Sequence, residues 1–360
     1  MESRGRAVGR VSTLVALLAL VGPGCSERTP AGPTDAGGLE LVHLLGRFDL
    51  STPGEPQLEW SGTGAVAKFT GTGVAVRLRG SPNQFAVVVD QGAPTVLRFD
   101  GTTATISLAA GLPAGTHRIE LHRRTEAFFG PVWFGGFSVT EGTLVPSPAP
   151  FTHRLELVGD SITCGYGDEG AGPRCRFSAD TENEYLAWGA VAARQTGAEH
   201  RAIAWSGKGL YRNNDGTTDE LMPVLYQRTI PTEATSQWNF SSWTPEVVVV
   251  NLGTNDFVPG DPGQPFVDAY VAFAASLRAR YPQAWIFCAL GPMENGAAAR
   301  TAVQAVVAAR TQAGDARVRF LELATQTGEL GYGCDYHPSV ATQQQMADAL
   351  VAQLRAVAGW

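Results

Sequence analysis

Residues 154–161 read Arg154-Leu-Glu-Leu-Val158-Gly159-Asp160-Ser161. A short, mostly apolar run leads straight into a glycine turn and then a hydroxyl. That grammar is a β-strand whose carboxyl end presents the next side chain to solvent. Runs of the same kind recur at 201–205, 247–252, 285–290 and 318–323. They are nearly continuous in apolar residues, as strands covered on both faces are. Helix-like stretches lie between them at 184–196, 266–281 and 297–312, and a last one at 339–357 closes the sequence. Such alternation predicts a three-layer α/β/α domain with a parallel sheet over residues 151–360. Ligands of such sheets bind beyond the carboxyl ends of the strands, and chemistry is expected there.

Four motifs fall at those ends. Gly159-Asp160-Ser161 follows the first strand and offers Ser161 as a nucleophile. Trp205-Ser206-Gly207-Lys208-Gly209 follows the second, where glycine lets the backbone N–H approach a ligand. Gly253-Thr254-Asn255-Asp256 follows the third; the Asn255 amide can donate to a developing oxyanion, which a carboxylate would repel. Asp335-Tyr336-His337-Pro338 precedes the last helix and supplies a histidine beside a carboxylate. Taken singly, these are a common turn, a Gly-rich loop, an Asx turn and a loop histidine. Their order along the chain, each at a strand end or before the closing helix, makes the nucleophile–base reading outweigh coincidence.

The first half has another grammar. Residues 39–145 are short strand-like runs, such as 65–69, 74–79, 85–89 and 118–121, punctuated by Gly, Pro and Asp. Asp90-Gln91-Gly92 and Asp100-Gly101 read as hairpin turns, and no helical period is sustained. A β-sandwich of jelly-roll type is expected. Its aromatic residues Trp60, Phe85 and Trp133 are candidates either for core or for stacking on glycan. A Pro-rich joint at 146–150 separates the halves, and residues 26–38 read as a flexible tether.

Before the tether, Arg4, Arg6 and Arg10 precede an apolar stretch at 11–21 and then Gly22-Pro23-Gly24-Cys25. That is the layout of a signal peptide, too short to span a bilayer as a stable helix. A small residue before Cys25 points to a lipoprotein-type cleavage site and a lipid anchor as the expected membrane contact. Residues 1–25 are therefore set aside as targeting sequence, and an exported protein is expected. Among the remaining cysteines, Cys288 sits in an apolar strand and reads as a buried thiol, whereas Cys164, Cys175 and Cys334 flank the motifs. An oxidising compartment permits one bridge among those three, with the pair left open. No paired Cys or His spacing suggests zinc. The 360 residues carry a net charge of −7 and no basic stripe, which argues against nucleic-acid binding.

The ordered Ser, Gly, Asn and His blocks resemble those of the SGNH (GDS-type) hydrolases. Longer stretches sharpen the likeness: His122-Arg-Arg-Thr-Glu126, 156–167, Thr181-Glu-Asn183, 206–213 and 333–339 are similar to those of family-two carbohydrate esterases, which place a jelly roll before an SGNH domain. The resemblance implies deacetylation of sugar units in hemicellulose- or mannan-like material, often at the primary hydroxyl. It implies Ser161 as nucleophile and His337 as base, with the N–H groups of Ser161 and Gly207 and the Asn255 amide as oxyanion donors. No metal or organic cofactor is called for. Asp335 stands two residues before the histidine, where most SGNH enzymes have their acid three before; Cys334 occupies that place. Asp335 is expected to complete a triad, although in some members a backbone carbonyl orients the histidine. Tyr336 matches an aromatic position expected to line the sugar pocket. Two other readings use the same residues. One is a lipase or thioesterase, against which stands the lack of a long apolar lid. The other is a carbohydrate-binding surface lipoprotein with a decayed hydrolase, against which stands the survival of all four blocks.

Overall fold

The computed structural model describes residues 38–147, 151–293 and 296–360. Cys25 and most of the expected tether lie outside the described residues. Nine antiparallel strands come first: β1 (Val42–Leu45), β2 (Phe48–Asp49), β3 (Gln57–Leu58), β4 (Gly64–Gly80), β5 (Asn83–Val89), β6 (Thr95–Phe99), β7 (Ala104–Arg123), β8 (Val132–Thr140) and β9 (Thr143–Val145). They form one sheet in the order β2-β3-β8-β4-β7-β5-β6, with β1 and β9 both paired to β4. Strands β4 and β7 are 17 and 20 residues long. One edge of β4 carries β1 and β9 along its first half and β8 along its second. Register shifts between Gly71 and Gly73, and between Val74 and Ala75, bend this pair. The sheet thus folds over its own core of Phe69, Val76, Phe85, Leu121 and Phe134, and the jelly-roll expectation is met. The hairpin turn expected at Asp90-Gln91 is present, with both residues at positive φ and Gly92 N–H donating to the Val89 carbonyl.

The second half holds β10 (His153–Gly159), α1 (Ser161–Cys164), α2 (Trp188–Thr196), β11 (Ala198–Ala204), α3 (Met222–Leu225), β12 (Val247–Asn251), α4 (Thr254–Phe257), α5 (Gln264–Arg280), β13 (Trp285–Leu290), α6 (Gly296–Gln312), β14 (Val318–Glu322) and α7 (Val340–Gln353). The five strands are parallel in the order β11-β10-β12-β13-β14. Helices α5 and α6 cover one face and α2 and α7 the other, so β12 is buried throughout. The stretch at 184–196, expected as one helix, is a 3₁₀ turn over Glu184–Leu186 and then α2. Ala187 breaks it with an extended backbone at φ −66°, ψ 151°.

The two halves share one interior. Trp60, from the jelly roll, is fully buried in the apolar cluster of the parallel sheet, and its indole N–H donates to the Arg228 carbonyl at 3.4 Å. Phe85 is core of the jelly roll, and the Arg79 guanidinium lies 4.1 Å over the Trp133 ring. Trp60 and Phe85 are therefore packing residues and do not form a glycan-facing surface. Arg47 is likewise buried across the seam, donating to the carbonyls of Tyr226 and Arg228 and to Glu156 of β10.

The cysteine pairing left open by sequence is Cys175–Cys334; Cys164 and Cys288 are buried free thiols. The bridge spans 159 residues. Closing a loop that long removes enough entropy from the unfolded chain to stabilise by roughly 4–5 kcal/mol. The Cys175→Ser variant is accordingly expected to melt about 5–10 °C lower by calorimetry. Reductant is expected to lower the Tm of the parent and to leave that of the variant unchanged. An unchanged Tm would contradict this account.

Candidate active site

Strand β10 ends at Gly159, where a Cβ would stand 2.1 Å from Thr163 Oγ1, so only glycine lets the chain turn into α1 so tightly. Asp160 caps that turn, its Oδ1 accepting from Ile162 N–H at 3.1 Å. Ser161 is the first residue of α1, a position whose N–H has no partner within the helix. His337 reaches it from the loop before α7: Nε2 lies 2.8 Å from Ser161 Oγ. The other ring nitrogen, Nδ1, lies 3.2 Å from the carbonyl oxygens of both Cys334 and Asp335. Carbonyls only accept, so Nδ1 carries the hydrogen and Nε2 presents its lone pair to the serine hydroxyl.

This geometry corrects the expected role of Asp335. Its carboxylate accepts from Tyr166 Oη–H at 2.9 Å and is not bonded to His337. The reason is local. Asp335 and Tyr336 both have positive φ, 52° and 60°, and this turn aims main-chain carbonyls at the imidazole and the Asp335 side chain outward. The pair is a Ser161–His337 dyad with backbone orientation. Tyr336 is 54% exposed beside the histidine and packs edge-on against Tyr332.

Gly207 lies after β11, with φ +78° and Asn214 3.2 Å from where a Cβ would be. Among the described residues no acceptor takes its N–H. Asn255, in α4 after β12, is buried and donates through Nδ2 to the Lys208 carbonyl at 2.9 Å and to Asp160 Oδ2 at 3.2 Å. The blocks ending β11, β10 and β12 are thus hydrogen-bonded to one another because those strands are neighbours. Burial pushes the Asp160 carboxyl up to about 7, with the charges of Asp256 and Glu126 adding to the shift.

Sequence reading assigned no role to Asp256 or Glu126, although both stand in quoted stretches. Asp256 takes the N–H groups of Leu210, Tyr211 and Arg212, at 3.1, 2.7 and 3.0 Å, and so fastens the loop beyond Gly207. Glu126, from the jelly roll, accepts the Ser206 N–H at 2.6 Å and the Ser206 hydroxyl. An aromatic rim stands beside the dyad. The Tyr166 ring is 4.3 Å from that of His337 and stacks on Phe177 at 3.9 Å, with Phe128 of the jelly roll, 45% exposed, near Phe177. Among the described residues no three His, Cys, Asp or Glu side chains converge as metal ligands would.

Burial lowers the His337 pKa from its ordinary 6.5, and the two carbonyls and the Asp335 charge offset part of that shift. A base must be neutral to accept a proton. With His337 as the base, activity is expected to fall as pH drops through the folded pKa, so that kcat/KM shows an acid limb with its midpoint below about 6.5. Asp335→Asn moves that limb further down and costs less than about tenfold, whereas in a strict triad such a change costs about 10⁴. His337→Ala should cost at least about 10³. Equal losses in the two variants, read on one ester, would restore Asp335 to a triad.

Comparison with known proteins agrees with both halves of the chain. Residues 44–148 match the carbohydrate esterase 2 N-terminal family and residues 157–345 the GDSL-like lipase/acylhydrolase family. A cellulase/esterase of Acetivibrio thermocellus is 40% identical over 320 residues, 88% of this chain; the chain spans only 39% of that relative's length. An acetylxylan esterase/glucomannan deacetylase of Cellvibrio japonicus is 27% identical over 329 residues, 89% of each protein. The structure of a family two carbohydrate esterase from Clostridium thermocellum in complex with cellohexaose is 40% identical, covers 89% of this chain and 99% of its own, and superposes with a TM-score of 0.86. With both halves matched and the fold superposed along these lengths, the chain belongs to the family-two carbohydrate esterases.

Proposed function

We propose that this protein is a serine esterase that removes O-acetyl groups from the sugar residues of polysaccharides or oligosaccharides. The observation that carries the proposal is the 2.8 Å hydrogen bond between Ser161 Oγ and His337 Nε2, set beside an exposed aromatic rim. Relatives named acetylxylan esterase/glucomannan deacetylase support the same substrate class.

In this mechanism Ser161 Oγ attacks the acetyl carbonyl and its proton passes to His337 Nε2. The imidazolium is stabilised by the carbonyls of Cys334 and Asp335 and by the nearby Asp335 charge. The carbonyl oxygen, now anionic, is held by the N–H groups of Ser161 and Gly207 and by Asn255 Nδ2. The 3.2 Å bond from Asn255 to Asp160 is the weaker of its two and the one an oxyanion competes for. The sugar hydroxyl departs with the proton from Nε2, and water, deprotonated by the same nitrogen, releases acetate from Ser161. Tyr336 and Phe128, both exposed, offer ring faces on which a sugar can stack.

The finer parts of the proposal are an acetylxylan- or acetylmannan-type polymer and the primary hydroxyl of hexoses as the acetyl position. Export, with a lipid anchor at Cys25, belongs to it too; the Cys175–Cys334 bridge supports an oxidising compartment.

The test is acetate release from acetylated oligosaccharides, with product positions read by NMR. Ser161→Ala is expected to abolish release while keeping the parent Tm; activity within tenfold of the parent would remove Ser161 as nucleophile. Asn255→Ala is expected to lower kcat about 100-fold or more with KM nearly unchanged, since the amide bonds the oxyanion better than the ground-state carbonyl. A pure KM effect would reduce Asn255 to substrate positioning.

A further inference from the structure

Two of the stretches that mark the family, His122-Arg-Arg-Thr-Glu126 and Thr181-Glu-Asn183, have no part in the dyad or in the rim. The structure brings them together beneath the Gly207 loop. Glu126 and Glu182 are both fully buried, one from each half of the chain, and their carboxyl groups are neighbours that shift each other's ionisation. The Glu126 N–H also donates to Glu182 Oε2 at 3.1 Å. Two buried carboxylates in contact cannot both be charged, so the pair shares one proton.

The proton belongs on Glu182. Glu126 already accepts two donors from Ser206, its N–H and its hydroxyl, which favour a charged Glu126. Glu182 has only one donor, and its Oε1 has no partner as a bare oxygen; protonation gives it one. Burial raises both carboxyls, but the Ser206 donors hold Glu126 back, whereas burial and the Glu126 charge push Glu182 well up. The other groups around the pair are consistent with one negative charge. Arg123, fully buried, donates to the Glu126 carbonyl, and Arg124 donates to the Glu182 carbonyl and to Glu169. Cys164 lies against Glu126, and Asp168 and Asp160 stand nearby.

We propose that Glu126 is a positioning residue for the esterase: held by a protonated Glu182, its carboxylate fixes Ser206 and thereby aims the adjoining Gly207 N–H at the oxyanion. This rests on the oxyanion hole described under the proposed function. The jelly roll then supplies part of the active-site support and is not an independent appendage. A carboxylate suits the task because its two oxygens take the two Ser206 donors together. Glutamine offers one acceptor oxygen and places an N–H group against the other donor. At Glu182 the requirement is reversed: a donor toward Glu126 is needed, and a glutamine amide supplies it without a shared proton.

The experiment measures kcat and KM on p-nitrophenyl acetate for the full-length parent, Glu126→Gln, Glu182→Ala, Glu182→Gln and Ser206→Ala. Tm and hydrogen–deuterium exchange over residues 205–213 are measured on the same samples. Glu126→Gln is expected to lower kcat about 10- to 100-fold with KM within about threefold, a fraction of what losing an oxyanion donor outright costs. Its 205–213 amides should exchange faster at an unchanged pattern elsewhere. Glu182→Ala should behave similarly, and Glu182→Gln should recover most of that loss. Ser206→Ala, which removes only the hydroxyl donor, is expected to lower kcat several-fold and keeps the test decisive if Glu126→Gln does not fold. Parent-like kcat and exchange in Glu126→Gln, or no recovery in Glu182→Gln over Glu182→Ala, would overturn the proposal. A parent without esterase activity would instead overturn the functional reading, and the exchange data would still decide whether Glu126 holds the loop.

Discussion

A charge withdrawn from water must find its counter-charge and hydrogen bonds within the protein, and this requirement locks the two halves together. Arg47 enters from the jelly roll and finds Glu156 on the first parallel strand; the Glu156 carboxylate also accepts the Tyr226 hydroxyl at 2.5 Å. Tyr226 in turn lies under the Arg47 guanidinium, 4.9 Å from its ring centre. Farther along the seam Glu59 accepts from Thr232, and His43 pairs with Glu199. Removing either half would leave such groups buried without partners or exposed without purpose. That explains why the buried part of β10, otherwise apolar, carries a glutamate.

The site depends on this seam and on the strand order. In the order β11-β10-β12 the direction of winding reverses at β10, and at such a point loops diverge and leave a crevice. Ser161 stands at the reversal, with the Gly207 and Asn255 loops on either side. Carboxylates fasten these loops from beneath: Asp160 caps the turn at the serine and accepts from Asn255, while Asp256 collects three N–H groups beyond the glycine and Glu126 holds Ser206. The histidine differs. Its loop has no strand of its own and is held by the bridge from Cys334 to Cys175 and by main-chain carbonyls.

The parallel strands were legible because burial on both faces demands runs such as Val247-Val-Val-Val250, and their ends located Ser161, Gly207 and Asn255. His337 was legible from its place before the last helix. What escaped the sequence depends on backbone angles or distant partners. The role of Asp335 turns on two left-handed residues that no spacing rule announces. Trp60 reads as core before it reads as a sugar-stacking ring, but the sequence does not say which core, and only the facing sheet shows that it is that of the second half. Glu126 and Glu182 are 56 residues apart, and nothing in either stretch alone says that they meet. The bridge was narrowed to three cysteines, and the loop over residues 168–175 had to fold before the pair was fixed.

The shared interior also bears on how the chain is made. Synthesis begins at the amino end, so the strands of the jelly roll are available before their neighbours exist. Trp60 and Arg47 then face solvent, because the cluster that buries Trp60 draws on residues as late as Val318, and Arg47 awaits Glu156 and Tyr226. The nascent first half therefore carries an uncovered tryptophan and an unpaired cation through most of translation. Trp60 is covered only once the parallel sheet has assembled beside it, so this face of the jelly roll and the second half complete their packing together.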